Sequence, residues 1–175
     1  MSPHDLSDWW VERYGRGLAL NGAEVVYHGS LPVPFTENDV FEVTDRARAL
    51  DNNMYVIAPN IGGYHLYPES PQPIDAGGGH SMIVDHRGQI VGKQFDTSGS
   101  TFVSGVIDIE GLRSHRASAQ ISNWAKDIRA ELGQLIYERP IYPKNRYLNR
   151  KPPHHEEFHR EVTERQIELL QDRAI

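Results

Sequence analysis

Apolar positions along this chain change period several times, and each change marks an element. Trp10, Val11, Tyr14 and Leu18 recur at helical spacing and Gly22 stops the run, which predicts a helix over 7–20. Glu24 to His28 predicts a short strand running into the turn-rich stretch from Gly29 to Pro34. A second helix has a marked start, with Thr36 as cap, Asp39 three residues on, and Phe35 and Val40 at the flanking staple positions. Its Val40, Val43, Ala47 and Leu50 predict one apolar stripe facing a core. Met54 to Ala58 is continuous rather than alternating, as expected of a strand buried on both faces.

Residues 61–79, rich in glycine and proline, predict a loop. His80 to Asp85 and Gln89 to Phe95 predict a hairpin around Asp85 to Gly88, with Gly88 supplying a positive φ. Thr101 to Ile109 predicts a further strand. Ser122 is expected to cap a helix carrying Trp124, Ile128 and Leu132 on one face, closed by Gly133. Over 134–153, Pro140, Pro143, Pro152 and Pro153 interrupt a stretch that also holds Tyr137, Tyr142 and Tyr147. Proline excludes regular helix there, and the aromatic content is unlike a free linker, so an extended arm lying on a surface is expected. A last helix with Phe158, Val162, Leu169 and Leu170 along one edge is expected from 154. The expected organisation is a domain over 1–133, the arm over 134–153 and the helix over 154–175.

Composition narrows the function classes. A chain of 175 residues with 38% hydrophobic and 24% charged residues is long enough for one domain with a core. The net charge of −6 argues against nucleic acid or an anionic membrane as partner. No apolar run approaches the ~20 residues of a membrane span. Asp5, Asp8 and Glu12 are unlike a secretory leader, so a cytoplasmic location is expected. The absence of cysteine excludes disulfides, thiolate–zinc sites and thiol nucleophiles within these residues.

Four segments in order carry a family resemblance: Leu18 to Val26, Arg46 to Gly63, Gly79 to Gly88 with its Gly-His-Ser…Asp-x-x-Gly pattern, and Gly105 to Ile109 followed by Leu112 and Arg116. Together they resemble the second half of the nitrilase superfamily, the carbon–nitrogen hydrolases, over about residues 6 to 117. The resemblance implies an α/β fold, a partial α-β-β-α sandwich of the nitrilase type, here followed by the arm and terminal helix. It also implies hydrolysis of amide or nitrile bonds by a cysteine nucleophile, a glutamate base and a lysine that stabilises the charged intermediate, with no cofactor. Glutamate and lysine come from the family's first half, which these residues do not match. The cysteine position falls at Leu6 by counting back from Gly22, or at Pro3 by matching a Cys-aromatic-Asp pattern onto Pro3, His4 and Asp5. Neither side chain is a nucleophile. Ser2 and Ser7 are the nearest hydroxyls, and Ser7 reads as a helix cap. No catalytic residue is therefore assigned. What the resemblance carries over is a pocket wall, with His28, Ser30 and Asn60 as candidate substrate-binding residues. Asn60 has a simpler role open to it, satisfying the backbone of the loop that follows, and His80 fits the same description for the hairpin.

His155-Glu-Glu-Phe-His159 matches a His-Glu-x-x-His pattern, which on a helix places two imidazoles on one face beside a general base. At metzincin spacing the glycine and third histidine are replaced by Val162 and Arg165, a thermolysin-like third ligand is expected further on than Glu164 or Glu168, and the flanks are polar. A chance match on a solvated helix is the better reading, and no metal site is assigned. Two classes of function remain. One is the C-terminal portion of an amidase-like hydrolase, acting on a small amide-type substrate only when another chain supplies glutamate, lysine and cysteine. The other is a non-catalytic pseudoenzyme or oligomerisation fragment. Half of a sandwich leaves apolar surface uncovered, so a homo-oligomer or a complementing N-terminal half is the expected partner.

Overall fold

The structure is a computed structural model that describes residues 12–29, 40–65, 67–71, 74–75, 78–95, 101–118, 121–138, 160 and 164–173. It forms two compact units, Met1–Ile128 and Arg129–Ile175. The first contains α1 (Glu12–Leu20), β1 (Val25–Tyr27), α2 (Val40–Asn52), β2 (Tyr55–Ala58), β3 (Gly63–Tyr64), β4 (Ile74–Asp75), β5 (Met82–Val84), β6 (Ile90–Lys93), α3 (Ile109–Arg116) and a 3-10 turn, Trp124–Asp127. The second contains α4 (Ala130–Glu138) and α5 (Arg165–Arg173).

The main sheet has the order β1-β2-β5-β6, with β1 parallel to β2 and the other pairs antiparallel. Strand alternation divides its faces. Val26, Met54, Val56, Ala58, Met82 and Val84 point to one side and form the core with Phe41 and Ala49 of α2. β2 is buried on both faces at Tyr55, Val56 and Ala58, as its unbroken apolar run predicts. α1 fits closely on α2 at Gly15, where an added Cβ would lie 3.4 Å from Arg48 Cδ. The Arg16 guanidinium also donates to the Asp51 carbonyl at 2.8 Å.

The other face carries Tyr55, Ile57 and Ile83, and it is crossed by residues 103–108. A Cβ on Gly92 would lie 2.7 Å from the Ser104 carbonyl oxygen, and the Asp108 amide donates to the Tyr55 hydroxyl at 3.2 Å. Among the described residues this cover reaches β2, β5 and β6 and leaves the edge strand β1 bare: Tyr27 is 72% exposed, and Val25 is exposed beside it.

Several expectations are corrected. The buried side of α2 is Phe41, Asp45, Ala49 and Asn52, whereas Val43 is 62% exposed and Val40 is exposed too. The helix is turned by about one residue, ~100°, from the apolar stripe, which puts Phe41 and Ala49 into the core and carries two polar side chains inward with them. Asp45 meets His28, and the Asn52 carboxamide donates to the Arg48 carbonyl at 2.9 Å. Residues 101–108 make no strand ladder. Helix α3 begins at Ile109, capped by the Asp108 carboxylate, which accepts from the Gly111 amide at 2.7 Å.

The helix expected from Ser122 to Gly133 is instead two pieces. Ile128 is extended at φ −68° and ψ 126°, which ends the 3-10 turn. Asn123 at its cap donates backwards to the carbonyls of Arg116 and Ser118, and the Ala125 amide is taken by the Asn53 side chain. Helix α4 then runs through Gly133 to Glu138, so residues 134–138 are helical rather than part of an arm. Residues 139–153, Thr36 and the His154, His155 and His159 cluster lie outside the described residues. Among the described residues no group of three metal-ligating side chains occurs, and no helix is long and apolar enough to cross a membrane.

Candidate functional site

In a sheet with parallel strands, ligand sites form beyond the carboxyl ends of those strands. For β1 and β2 that edge holds His28 and Asn60, so the structure brings two of the three expected wall residues to one side of the sheet. Ser30 lies outside the described residues.

His28 follows Tyr27 and points back to the core side, where α2 waits. Its Nδ1 lies 2.8 Å from Asp45 Oδ1, and its ring centroid is 5.9 Å from that of Phe41. An ionised carboxylate can only accept, and opposite it Nδ1 is the donor, which fixes the ring orientation. The Asp45 side chain is fully buried and that of His28 is 16% exposed. Such a pair can orient an imidazole for proton transfer. It also ties the end of β1 to α2, next to the hydrogen bond from the His28 amide to the Ile57 carbonyl at 2.8 Å.

Asn60 organises the loop after β2. Its carboxamide donates to the Gly79 carbonyl at 2.7 Å, and its Oδ1 accepts from the Ile61 amide at 2.9 Å. Asn60 and Ser81 are bonded twice: the Asn60 amide donates to the Ser81 hydroxyl at 2.9 Å, and that hydroxyl faces the Asn60 carbonyl at 3.2 Å. These bonds hold Gly78, Gly79 and His80 in a left-handed run, with φ of 70°, 63° and 62°. A left-handed histidine costs ~1–2 kcal/mol, so His80 orders the entry to β5 under strain.

On the same edge, Glu42 near the start of α2 pairs with Lys93 at the end of β6 at 2.5 Å and with Arg46 at 3.0 Å. The hydrogen bond from Lys93 holds the Glu42 carboxyl below its ordinary value of 4.5, reinforced by Arg46 and opposed by burial. Sequence reading missed Asp45, Glu42 and Ser81. Asp45 sits off the apolar stripe and Lys93 is distant in sequence, so only the fold shows what either meets.

The comparisons with known proteins agree with this architecture. The carbon-nitrogen hydrolase family profile matches residues 7–117, more than half of the chain. The chain belongs to the carbon-nitrogen hydrolase family. It is 40% identical over 77 residues to the probable hydrolase nit2 of Schizosaccharomyces pombe, a match covering 44% of this chain and 26% of that protein. It is 34% identical over 76 residues to a deaminated glutathione amidase of Synechocystis, covering 43% of this chain and 26% of the relative. The crystal structure of a carbon-nitrogen hydrolase from Helicobacter pylori superposes with a TM-score of 0.59 at 21% identity, over 76% of this chain and 47% of that one. The fold is thus that of the nitrilase superfamily. The chain spans about a quarter of the length of the curated relatives it matches, 26% in each.

Proposed function

We propose that these residues form the second half of an amidase-like carbon-nitrogen hydrolase core, and that the polypeptide alone hydrolyses neither amides nor nitriles. One observation carries this: none of the 175 residues is cysteine. An amide carbonyl yields only to an activated nucleophile, and the family's route uses a thiolate with a glutamate base and a lysine at the developing oxyanion. A thiolate for that route has to come from outside these residues. The amidase name of one matched relative favours a small amide or carbamoyl compound over a nitrile as substrate of the completed enzyme. His28, Ser30 and Asn60 would then line the wall of its site.

The bare part of the sheet supports a partner. Val25 and Tyr27 expose apolar surface on an edge strand whose outer backbone groups are a template for further pairing. A complementing N-terminal half or a second copy of this chain fits that surface. A second reading, a non-catalytic family member kept for subunit contacts, is favoured by one observation: His28 and Asn60 both spend hydrogen bonds on the protein itself.

The test is ammonia release from short aliphatic amides and nitriles by the purified chain. No release above buffer is expected. Turnover that stays with the chain through purification, and that a substitution within it abolishes, overturns the proposal.

A further inference from the structure

At the opposite edge of the sheet from His28 and Asn60 lies a buried polar cluster that amide hydrolysis does not call on. It is built by Asn53 and Tyr55 at the start of β2, His86 in the β5–β6 turn, His115 and Arg116 on α3, and Asn123 before the 3-10 turn. The rings of His86 and His115 are 4.9 Å apart between centroids, and the Tyr55 ring is 5.7 Å from His86. His86 is 6% exposed and His115 4%.

Acceptors are scarce here. Both ring nitrogens of His86 and Nδ1 of His115 are buried with no hydrogen-bond partner among the described residues. His115 Nε2 has only long contacts, 3.4 Å to the Asn53 carboxamide nitrogen and 3.4 Å to the Ser122 carbonyl. The charged groups facing His86 are Asp85 and Arg87 in its own turn, Asp108 at the cap of α3, and His115 on α3. The Asp85 carboxylate is engaged by the amides of Arg87 and Gln89, each at 2.9 Å, and that of Asp108 by Gly111. Arg116 beside the cluster is a fixed cation, donating to the carbonyls of Asn53 at 2.9 Å and Ala23 at 2.6 Å. A proton arriving on His86 therefore places a cation against the His115 ring and away from water, with Arg87 in the same turn.

We propose that the His86–His115 pair is an acid-sensitive latch: while neutral it lets the β5–β6 turn, α3 and the 3-10 turn close over the start of β2, and protonation releases them. The direction of titration agrees. Burial holds His86 below the ordinary 6.5, His115 and Arg87 push the same way, and Asp85 and Asp108 oppose them. A base with a lowered value in the closed state takes its proton first in the open state. Closure is therefore at full strength above 6.5 and is lost as pH falls toward the closed-state value. Across that window one proton changes the closed-to-open ratio by up to about tenfold per pH unit.

Hydrogen–deuterium exchange on the full chain, corrected for intrinsic rates, reads this ratio. Between about pH 7.5 and about pH 5.5, protection of Leu112 to Arg116 and Trp124 to Asp127 is expected to fall, by up to about tenfold, and more than that of β2 and β5. His86→Phe, which keeps a ring but accepts no proton, is expected to flatten the fall. Equal protection at both pH values, or an undiminished fall in His86→Phe, overturns the latch. Should that variant fail to fold, the assigned His86 ring signals of the unsubstituted chain decide. A proton taken at or above pH 6.5 with protection unchanged refutes the latch, and a ring still neutral at 6.5 until protection drops supports it.

Discussion

Asn53 joins more of this fold than any other single side chain described. It is fully buried at φ 45°, a left-handed conformation that residues other than glycine seldom take. Its carboxamide donates to the Ser122 carbonyl at 3.0 Å and the His86 carbonyl at 3.3 Å, and its Oδ1 accepts from the Ala125 amide at 3.0 Å. Asn53→Ala removes the side-chain hydrogen bonds to the part-buried Ala125 N–H and Ser122 carbonyl, each worth ~0.5–1.5 kcal/mol. It also puts a Cβ-bearing residue without a local polar side chain into the left-handed region, adding ~1–2 kcal/mol. The expected loss is thus about 2–5 kcal/mol, a substantial part of the ~5–15 kcal/mol typical of a domain. Asn53→Gly loses the same hydrogen bonds but not the backbone tolerance, so it should stand about 1 kcal/mol above the alanine variant. Equilibrium urea unfolding, followed by circular dichroism with a common slope, measures both. Both variants within about 1 kcal/mol of the parent would refute the hydrogen-bonding account. Glycine no better than alanine would refute the backbone part.

Two further outcomes follow from the geometry. Because Lys93 and Arg46 hold the Glu42 carboxyl below 4.5, the pair's contribution is full above that value and is lost as pH falls below it. Urea midpoints against pH should therefore separate the parent from Lys93→Met at neutral pH and converge in acid; a gap independent of pH contradicts the pairing. Gly88→Ala meets both a φ of 73° and a neighbour, the Arg46 carbonyl oxygen 3.1 Å from the new Cβ, whereas Gly22→Ala at φ 90° meets no atom within 4 Å. Thermal unfolding should show a larger loss at Gly88, beyond the ~1–2 kcal/mol of backbone strain common to both; equal losses contradict the close fit of the turn against α2.

Much of the fold was legible because period and turn chemistry are local. The unbroken run of Met54 to Ala58 marks the buried strand, and Gly88 marks the hairpin turn whose amide returns to the Asp85 carbonyl at 2.9 Å. What failed was set at a distance. The apolar stripe of α2 predicts the wrong side because Phe41 and Ala49 enter the core, carrying Asp45 to His28 and Asn52 to the Arg48 carbonyl and leaving Val40 and Val43 exposed. Thr101 to Ile109 has strand composition, yet residues 103–108 pass over the face of β5 and β6 instead of joining their ladder, since Gly92 lets the Ser104 backbone come close. His28 and Asn60 were expected from the family resemblance alone, and they lie at the carboxyl ends of the parallel strands β1 and β2. The partners that fix them were not, because Asp45 and Ser81 carry no motif.

The proposed partner rests on β1 being an edge strand of the β1-β2-β5-β6 sheet that exposes Val25 and Tyr27 among the described residues. Light scattering of the purified chain across a concentration series tests this most directly, with Tyr27→Ser, at a residue 72% exposed, as comparison. Association that grows with concentration, and that weakens in Tyr27→Ser, is the expected result. A monomer at every concentration, unchanged by the substitution, would contradict it.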